Sequence, residues 1–356
     1  MLYYLLYAAT AITLVYFLVA KKPFYGKPAS MAIVMSYGIF AQSVMPQFKV
    51  NLLYIQFLTM LIVVISVFLL VSYLKAFMEG SFKQNYYQDP LERYAIGTWI
   101  AGSSVSLMLL SEHFSLATSF IKSAGFLIIA GWIIYLLFML KSVPSIYENG
   151  REDSLHGIVL LTVVATQSMV LMANTIWKSI QSMTWLNSSV IVFGILLYLL
   201  YATMVVTRYI KGNWSLADDW KNTNCILHGS ISITGSAAAL SQSFGYTAIL
   251  FIWILAVTVF VIHELIEGAR GLVRIKAYGL VQGIFSYDVS QWSRVFTFGM
   301  LYAFTSFFKT NYTITNSIVS AMLKAVLTYG KWAILGLVLI ESALLVKSLF
   351  TTARTA

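Results

Sequence analysis

Proline, cysteine and charge are all scarce in this chain, and each scarcity removes a class of readings. Only five prolines occur in 356 residues, and none falls in the middle of a long apolar run, so proline kinks are missing from the long helices such runs would form. A single cysteine, Cys225, excludes an internal disulfide or a cysteine-based metal cluster, and it reads as a small buried or boundary residue. Charged residues make up 10% of the chain against 59% hydrophobic ones, far outside the usage of soluble globular proteins. Apolar runs of spanning length recur from end to end and leave no segment for a soluble domain of ordinary size. The chain therefore reads as an all-α polytopic membrane protein. A net charge of +10 invites nucleic acid as a partner. The basic residues stand singly in loops between spans, however, as topology signals do, and no nucleic acid is expected.

The first run, residues 2–20, has its first lysines, Lys21 and Lys22, after it rather than before it. It therefore reads as a retained anchor helix and not as a signal peptide. The runs that follow cover 31–46, 52–76, 94–111, 117–140, 156–174, 186–207, 226–242, 246–266, 292–308 and 326–350, which makes eleven spans. Residues 1–29 form the anchor and its loop, and 30–356 a ten-helix domain. Consecutive loops alternate sides. The alternation leaves only Lys49, Lys122, Lys178, Lys309, Lys324 and Lys331 on one side, and the rest of the 23 lysines and arginines on the other. The basic side is cytoplasmic, so the N-terminus is expected outside and the C-terminus inside, in the plasma membrane.

Polarity alternates too. After the anchor, the odd runs carry the small and polar residues: Ser36, Gly38 and Gln42; Thr98, Gly102 and Ser104; Thr166 and Gln167; Ser232 and Thr234; and Thr297. The even runs, such as FLTMLIVVISVFLLV, have the composition of lipid-facing helices. Five hairpins, each with a polar inner and an apolar outer helix, predict a ring around a polar axis lined by those residues; small residues also permit close helix packing with no pore. All five inner helices start from the cytoplasmic side. Their N-terminal dipoles, each equivalent to about half a positive charge, would converge with Arg93 and Arg294 to favour anions at that mouth. The stretch Gln291 to Phe308 concentrates an arginine, bulky aromatics and small polar residues in one helix length, a poor surface for lipid and a good one for a bundle interior.

Five segments on these polar helices resemble the tellurite-resistance/dicarboxylate transporter family, which includes fungal malate and sulfite transporters and plant slow anion channels. They are MAIVMSYGIF (31–40), DPLERYAIGTWIAGSSV (89–105), LLTVVATQSMVLMA (160–173), CILHGSISITGSAA (225–238) and FSYDVSQWSRVFTFGMLYA (285–303). The resemblance implies ten helices in five hairpins around a central pore, a homotrimer with one pore per subunit, and small inorganic or organic anions as cargo. It also implies an occluding aromatic in the ninth core helix, which by position is Phe296. The family motif follows this phenylalanine with proline, whereas Thr297 stands here.

The four histidines, His113, His156, His228 and His263, lie on different segments, and no metal or cofactor is expected. HELIE, His263 to Glu267, lacks the second histidine of a zinc-protease helix; it reads as a solvated helix end with Glu264 and Glu267 facing Arg270 and Arg274, and no enzyme is expected. Glu341, the one acid deep in a span, sits on an outer helix, where a lysine or a neighbouring subunit is the expected partner. The reading reached is an anion channel in the membrane, gated by Phe296. The alternatives are a proton-coupled carrier of dicarboxylates, sulfite or tellurium oxyanions, with His156 or His228 as the proton site, and a receptor or scaffold that transports nothing.

Overall fold

In the computed structural model, residues 25–355 are described, together with residues 8, 9, 11–13, 15 and 16. The anchor expected over 2–20 lies outside the described residues apart from those few. They are helical, and Tyr16 stacks on Phe68 with a centroid separation of 6.1 Å.

Ten long helical segments follow: α1 Pro28–Phe48, α2 Leu52–Met78, α3 Glu92–His113, α4 Thr118–Glu148, α5 Gly157–Ile176, α6 Thr184–Lys211, α7 Ile226–Ser241, α8 Tyr246–Gly283, α9 Trp292–Asn311 and α10 Ser317–Thr355. Among the described residues there is no strand. All but α7 and α9 are long and apolar enough to cross a membrane. The exceptions have simple causes: α7 is rich in glycine, serine and alanine, which lower its hydropathy, and α9 carries Arg294 and Lys309 within its 20 residues.

The odd helices form a closed ring, α1 on α3, α3 on α5, α5 on α7, α7 on α9 and α9 back on α1. The even helices make an outer layer in which each packs against its own hairpin partner and, in turn, the next ring helix; α10 completes the circuit against α9 and α1. Burial follows composition: 94% of the spanning window of α5 is buried, against 17% for α4. The polar alternation along the chain thus becomes an inner ring and an apolar jacket.

Small residues bring the ring helices together. A Cβ on Gly229 would lie 2.2 Å from Thr297 Cγ2, and one on Gly235 would lie 2.2 Å from the Phe304 ring, so α7 and α9 touch where only hydrogen fits. The hydroxyls solve a different problem. Ser104, Thr166, Ser232, Thr234 and Thr305 each donate to the carbonyl four residues back at 2.7 to 2.9 Å. A polar group in hydrocarbon needs a partner, and here the helix backbone supplies it.

Each ring helix begins through a 3-10 turn, at Pro28–Ser30, Glu92–Ile96, Gly157–Leu160, Asn222–Cys225 and Val289–Gln291. The last is fixed by a capping box between Asp288 and Gln291. In α1 the α-helix ends at Ile39 and a π-helical stretch, Phe40–Val44, follows, so this proline-poor chain departs from α geometry by changing the hydrogen-bond register. Outer helices overrun their apolar runs. α8 continues to Gly283, past the apolar limit near 266, and turns at Gly279, whose φ is 77°; α10 starts at Ser317, where the Asn316 side chain accepts from the Ile318 and Val319 amides. Hydropathy marks where the bilayer ends and not where a helix ends.

Gly235→Ala should therefore lower the unfolding temperature in detergent, overpacking of this kind costing ~1–3 kcal/mol. Phe304→Leu in the same chain should restore part of the loss. Gly336→Ala, where nothing lies within 4 Å of the added carbon, should leave the transition unchanged or raise it.

Candidate functional site

Two cavities lie on the ring axis, one at each end. At the N-terminal ends of the odd helices a cavity of 1220 Å³ is lined by Lys27 and Pro28 beside α1, Glu92 of α3, His156 and Ile158 of α5, Thr223 before α7, and Gln291 and Arg294 of α9. It runs on beneath α8 and α10, where Glu264, Glu267, Arg270, Leu337 and Glu341 face it. At the C-terminal ends a cavity of 240 Å³ is lined by Ile39, Gln42 and Gln47 of α1, Met108 and Glu112 of α3, Leu171 and Thr175 of α5, Leu240 of α7, and Met300, Ala303 and Phe307 of α9. All five ring helices contribute to both, so they run in one direction.

Phe296 borders neither cavity. It is four residues before Met300, on the face of α9 that Met300, Ala303 and Phe307 present to the axis. It is 6% exposed and belongs to one continuous buried apolar cluster with Met35, Ala101, Val164 and Ile233. Those four residues extend the axis-facing rows of the other ring helices one or two turns inward, so an apolar layer lies between the two cavities.

The other residues singled out by sequence divide into three groups. Gln42 lines the smaller cavity, and Ser104 lies on the axis-facing row one turn from Met108. Several serve the contacts between ring helices. Ser36 donates to the Trp292 carbonyl at 2.6 Å, Gly38 meets Val105 and Gly102 meets Met31, Thr98 Oγ1 lies 3.3 Å from the Pro28 carbonyl of α1, and Thr297 packs on Gly229. Ser232 and Thr234 flank Ile233, each about 100° round the helix from it, and Ile233 shares the axis-facing row of Leu240. A third group has partners on the outer helices. Thr166 Oγ1 accepts from Trp132 Nε1 of α4 at 3.2 Å, and Gln167 donates to the Ile191 carbonyl of α6 at 3.1 Å. Small polar residues mark ring helices, and half of their polarity faces neighbouring helices.

The two basic residues expected at the mouth each have protein partners. Arg93 is buried, its Nε donating to the Tyr87 carbonyl at 2.5 Å and its guanidinium 4.2 Å from the Tyr87 ring centroid; it is absent from the cavity lining. Arg294 does border the larger cavity, but it lies two residues before Phe296 and so about 200° round the helix, facing α8. It pairs there with Glu264 and, at 3.8 Å, with Glu267, which also pairs with Arg270 at 3.3 Å. The end of HELIE is thus a partly buried ion-pair network rather than a solvated helix end. Glu341, expected to meet a lysine or a neighbouring subunit, lines the same cavity as Arg294.

His156 joins two ring helices: its Nδ1 is 2.6 Å from Thr223 Oγ1, and the adjacent Gly157 amide donates to Asn224 Oδ1 at 2.8 Å. Burial, reinforced by Lys221 and Arg208, pushes its imidazole down to about 3, so it is neutral. His228 faces away from the axis, edge-on to Phe260 of α8 at 5.1 Å and 5.6 Å from the His263 ring. Sequence reasoning missed Glu112, which ends a ring helix and faces the smaller cavity; its position three residues before the polar break at Ser115 was the available signal.

Two expectations follow. Arg294→Gln and Glu264→Gln should each lower thermal stability and together cost less than their sum, with a coupling of ~1 kcal/mol in a double-mutant cycle for a pair this open to solvent. Between about pH 6.5 and 3 the unfolded chain binds a proton at residue 156 that the folded chain excludes. Stability is then complete above 6.5 and falls as the pH drops. His156→Asn, which keeps a side chain able to cap and to reach Thr223, should make the acid-side loss shallower in a pH series of unfolding temperatures.

A search of curated proteins finds no match. The family described as SLAC1, voltage-dependent anion channel, matches residues 25–342, which spans all ten helices except the end of α10. The ring, its apolar jacket and this match agree with the resemblance read from the five polar segments, and the chain belongs to the SLAC1 family of anion channels and transporters.

Proposed function

We propose that the ring axis is the path of a small anion, that Phe296 closes it, and that the protein works as a channel driven by the membrane potential. The observation that carries this reading is the pair of cavities, each lined by all five ring helices and separated by the apolar layer that contains Phe296. A phenyl ring across a narrow neutral path excludes water on both sides and blocks an ion by dewetting. The wider cavity holds comparable numbers of acids and bases, so its preference for anions rests on the five converging helix N-termini, each acting as about half a positive charge.

The same reading places the wider cavity on the cytoplasmic side of the plasma membrane, with the N-terminus outside and the C-terminus inside, as the distribution of lysine and arginine favours. Residues 1–29 are then an added anchor and loop, and 30–356 the transport domain. The apolar outer helices, together with the family resemblance, support a homotrimer with a pore in each protomer.

Phe296→Ala should raise anion flux into liposomes severalfold while the protein still folds. Phe298→Ala should not. Phe298 points away from the axis, half-buried with Phe260 at 4.8 Å and the Arg294 guanidinium at 5.9 Å, and its truncation should lower stability by less than the ~3–5 kcal/mol of a fully buried Phe→Ala change. Low flux with reduced stability for Phe296→Ala, or opening by Phe298→Ala instead, overturns the gate assignment. A requirement for a pH gradient would replace the channel with a proton-coupled carrier.

A further inference from the structure

The smaller cavity is lined by thirteen residues, and only one of them ionises. That residue, Glu112, ends α3 at the mouth opposite the Arg294 network. Gln42, from the π-helical stretch of α1, donates its Nε2 to Glu112 Oε1 at 3.1 Å across the cavity. The remaining surroundings are neutral: Gln47 on α1, Thr175 on α5, Leu240 on α7 and Ser306 on α9. The neighbouring His113 is not part of the lining, and its carbonyl accepts from Gln56 of α2 at 3.0 Å. The wider cavity, by contrast, sets Lys27, Lys221 and Arg294 among its acids. The cation packed against this rim, Lys331 of α10, donates its Nζ to the Gln47 carbonyl at 3.4 Å and is not part of the lining. The lining of one mouth therefore carries a single negative charge and that of the other a mixture.

From this asymmetry we propose that Glu112 is a specificity-determining residue that makes the pore pass anions more readily out through its own mouth than in. The inference rests on the reading of the axis as the path. A fixed unit charge within about 7 Å of a mouth in a water-like dielectric depletes permeant anions there about two- to threefold, and the depletion fades as the screening length shortens from ~10 Å at 0.1 M salt to ~3 Å at 1 M. Anions arriving at this mouth are depleted, whereas anions arriving from the other cavity are not. The result is rectification set by Glu112. Gln42 holds the carboxylate over the opening, which adds a positional reason for glutamate at the end of this helix.

Single-channel currents of the Phe296→Ala protein in symmetrical chloride test this. At low salt the current should rectify about two- to threefold, and at high salt the ratio should approach one. Adding Glu112→Gln should make the current linear at low salt, and Glu112→Lys should reverse the rectification, a sign change that a loss of folding cannot imitate. Acidifying the side that bears the smaller cavity should act as Glu112→Gln does, and should have no effect once that substitution is present. A conducting Phe296→Ala protein whose rectification is the same with Gln or Lys at 112 overturns this inference alone. Absence of conductance in every combination overturns it together with the pore reading.

Discussion

The ring depends on hydroxyl groups that are satisfied by their own helix. Five helices carrying serine and threonine at membrane depth would be intolerable in hydrocarbon if each hydroxyl needed water or a partner across the interface. Because Ser104, Ser232, Thr234 and Thr305 donate to the carbonyl one turn back, the helices keep small side chains, approach closely and still leave no hydroxyl of that set unpaired. Glycine does the rest between α7 and α9, where Thr297 and Phe304 occupy the space a side chain would need. The same arrangement allows the centre of the axis to be apolar although its helices are polar, since the hydroxyls are turned to backbone and the aliphatic and aromatic side chains meet.

Charge is handled separately from that core. Arg294 sits on α9 two residues before Phe296 and opposite to it, so the guanidinium holds α9 to α8 through Glu264 and Glu267 while the phenyl ring holds the axis. Arg93 is likewise spent on a local contact, against Tyr87. On the proposed reading, attraction for anions at the wide mouth is mostly a property of the backbone, the five helix starts that 3-10 turns bring together there.

Much of this was legible beforehand because bilayer chemistry is written in composition. The alternation of polar and apolar runs, the closed ring and the common direction of the inner helices all follow from residue type and spacing. Other features were hidden for physical reasons. A threonine hydroxyl gives no hint of whether it bonds back to its own helix, as Thr234 does, or also meets an outer helix, as Thr166 meets Trp132. Arg93 and Arg294 looked like mouth charges because residue type does not show what an arginine is bonded to: the carbonyl of nearby Tyr87 and the Ser145 hydroxyl of α4 for one, distant Glu264 for the other. The lengths of α8 and α10 were missed because a helix can continue past the membrane without changing its hydrogen bonds.

The π-helical stretch in α1 carries a consequence for how this helix tolerates change. A π segment is an α-helix holding one residue more than its turn accommodates. In α1 the surplus falls in the stretch that itself presents Gln42 and Ser43 to the smaller cavity, beyond the part that packs Met31 against Gly102. The wider turn absorbs the extra residue locally, so the helix on either side keeps its phase. Shortening the chain by one residue within 40–44 would restore a continuous α ladder with both flanks in register. The change would be confined to the cavity lining around Gln42 and Ser43, while the ring itself stayed closed.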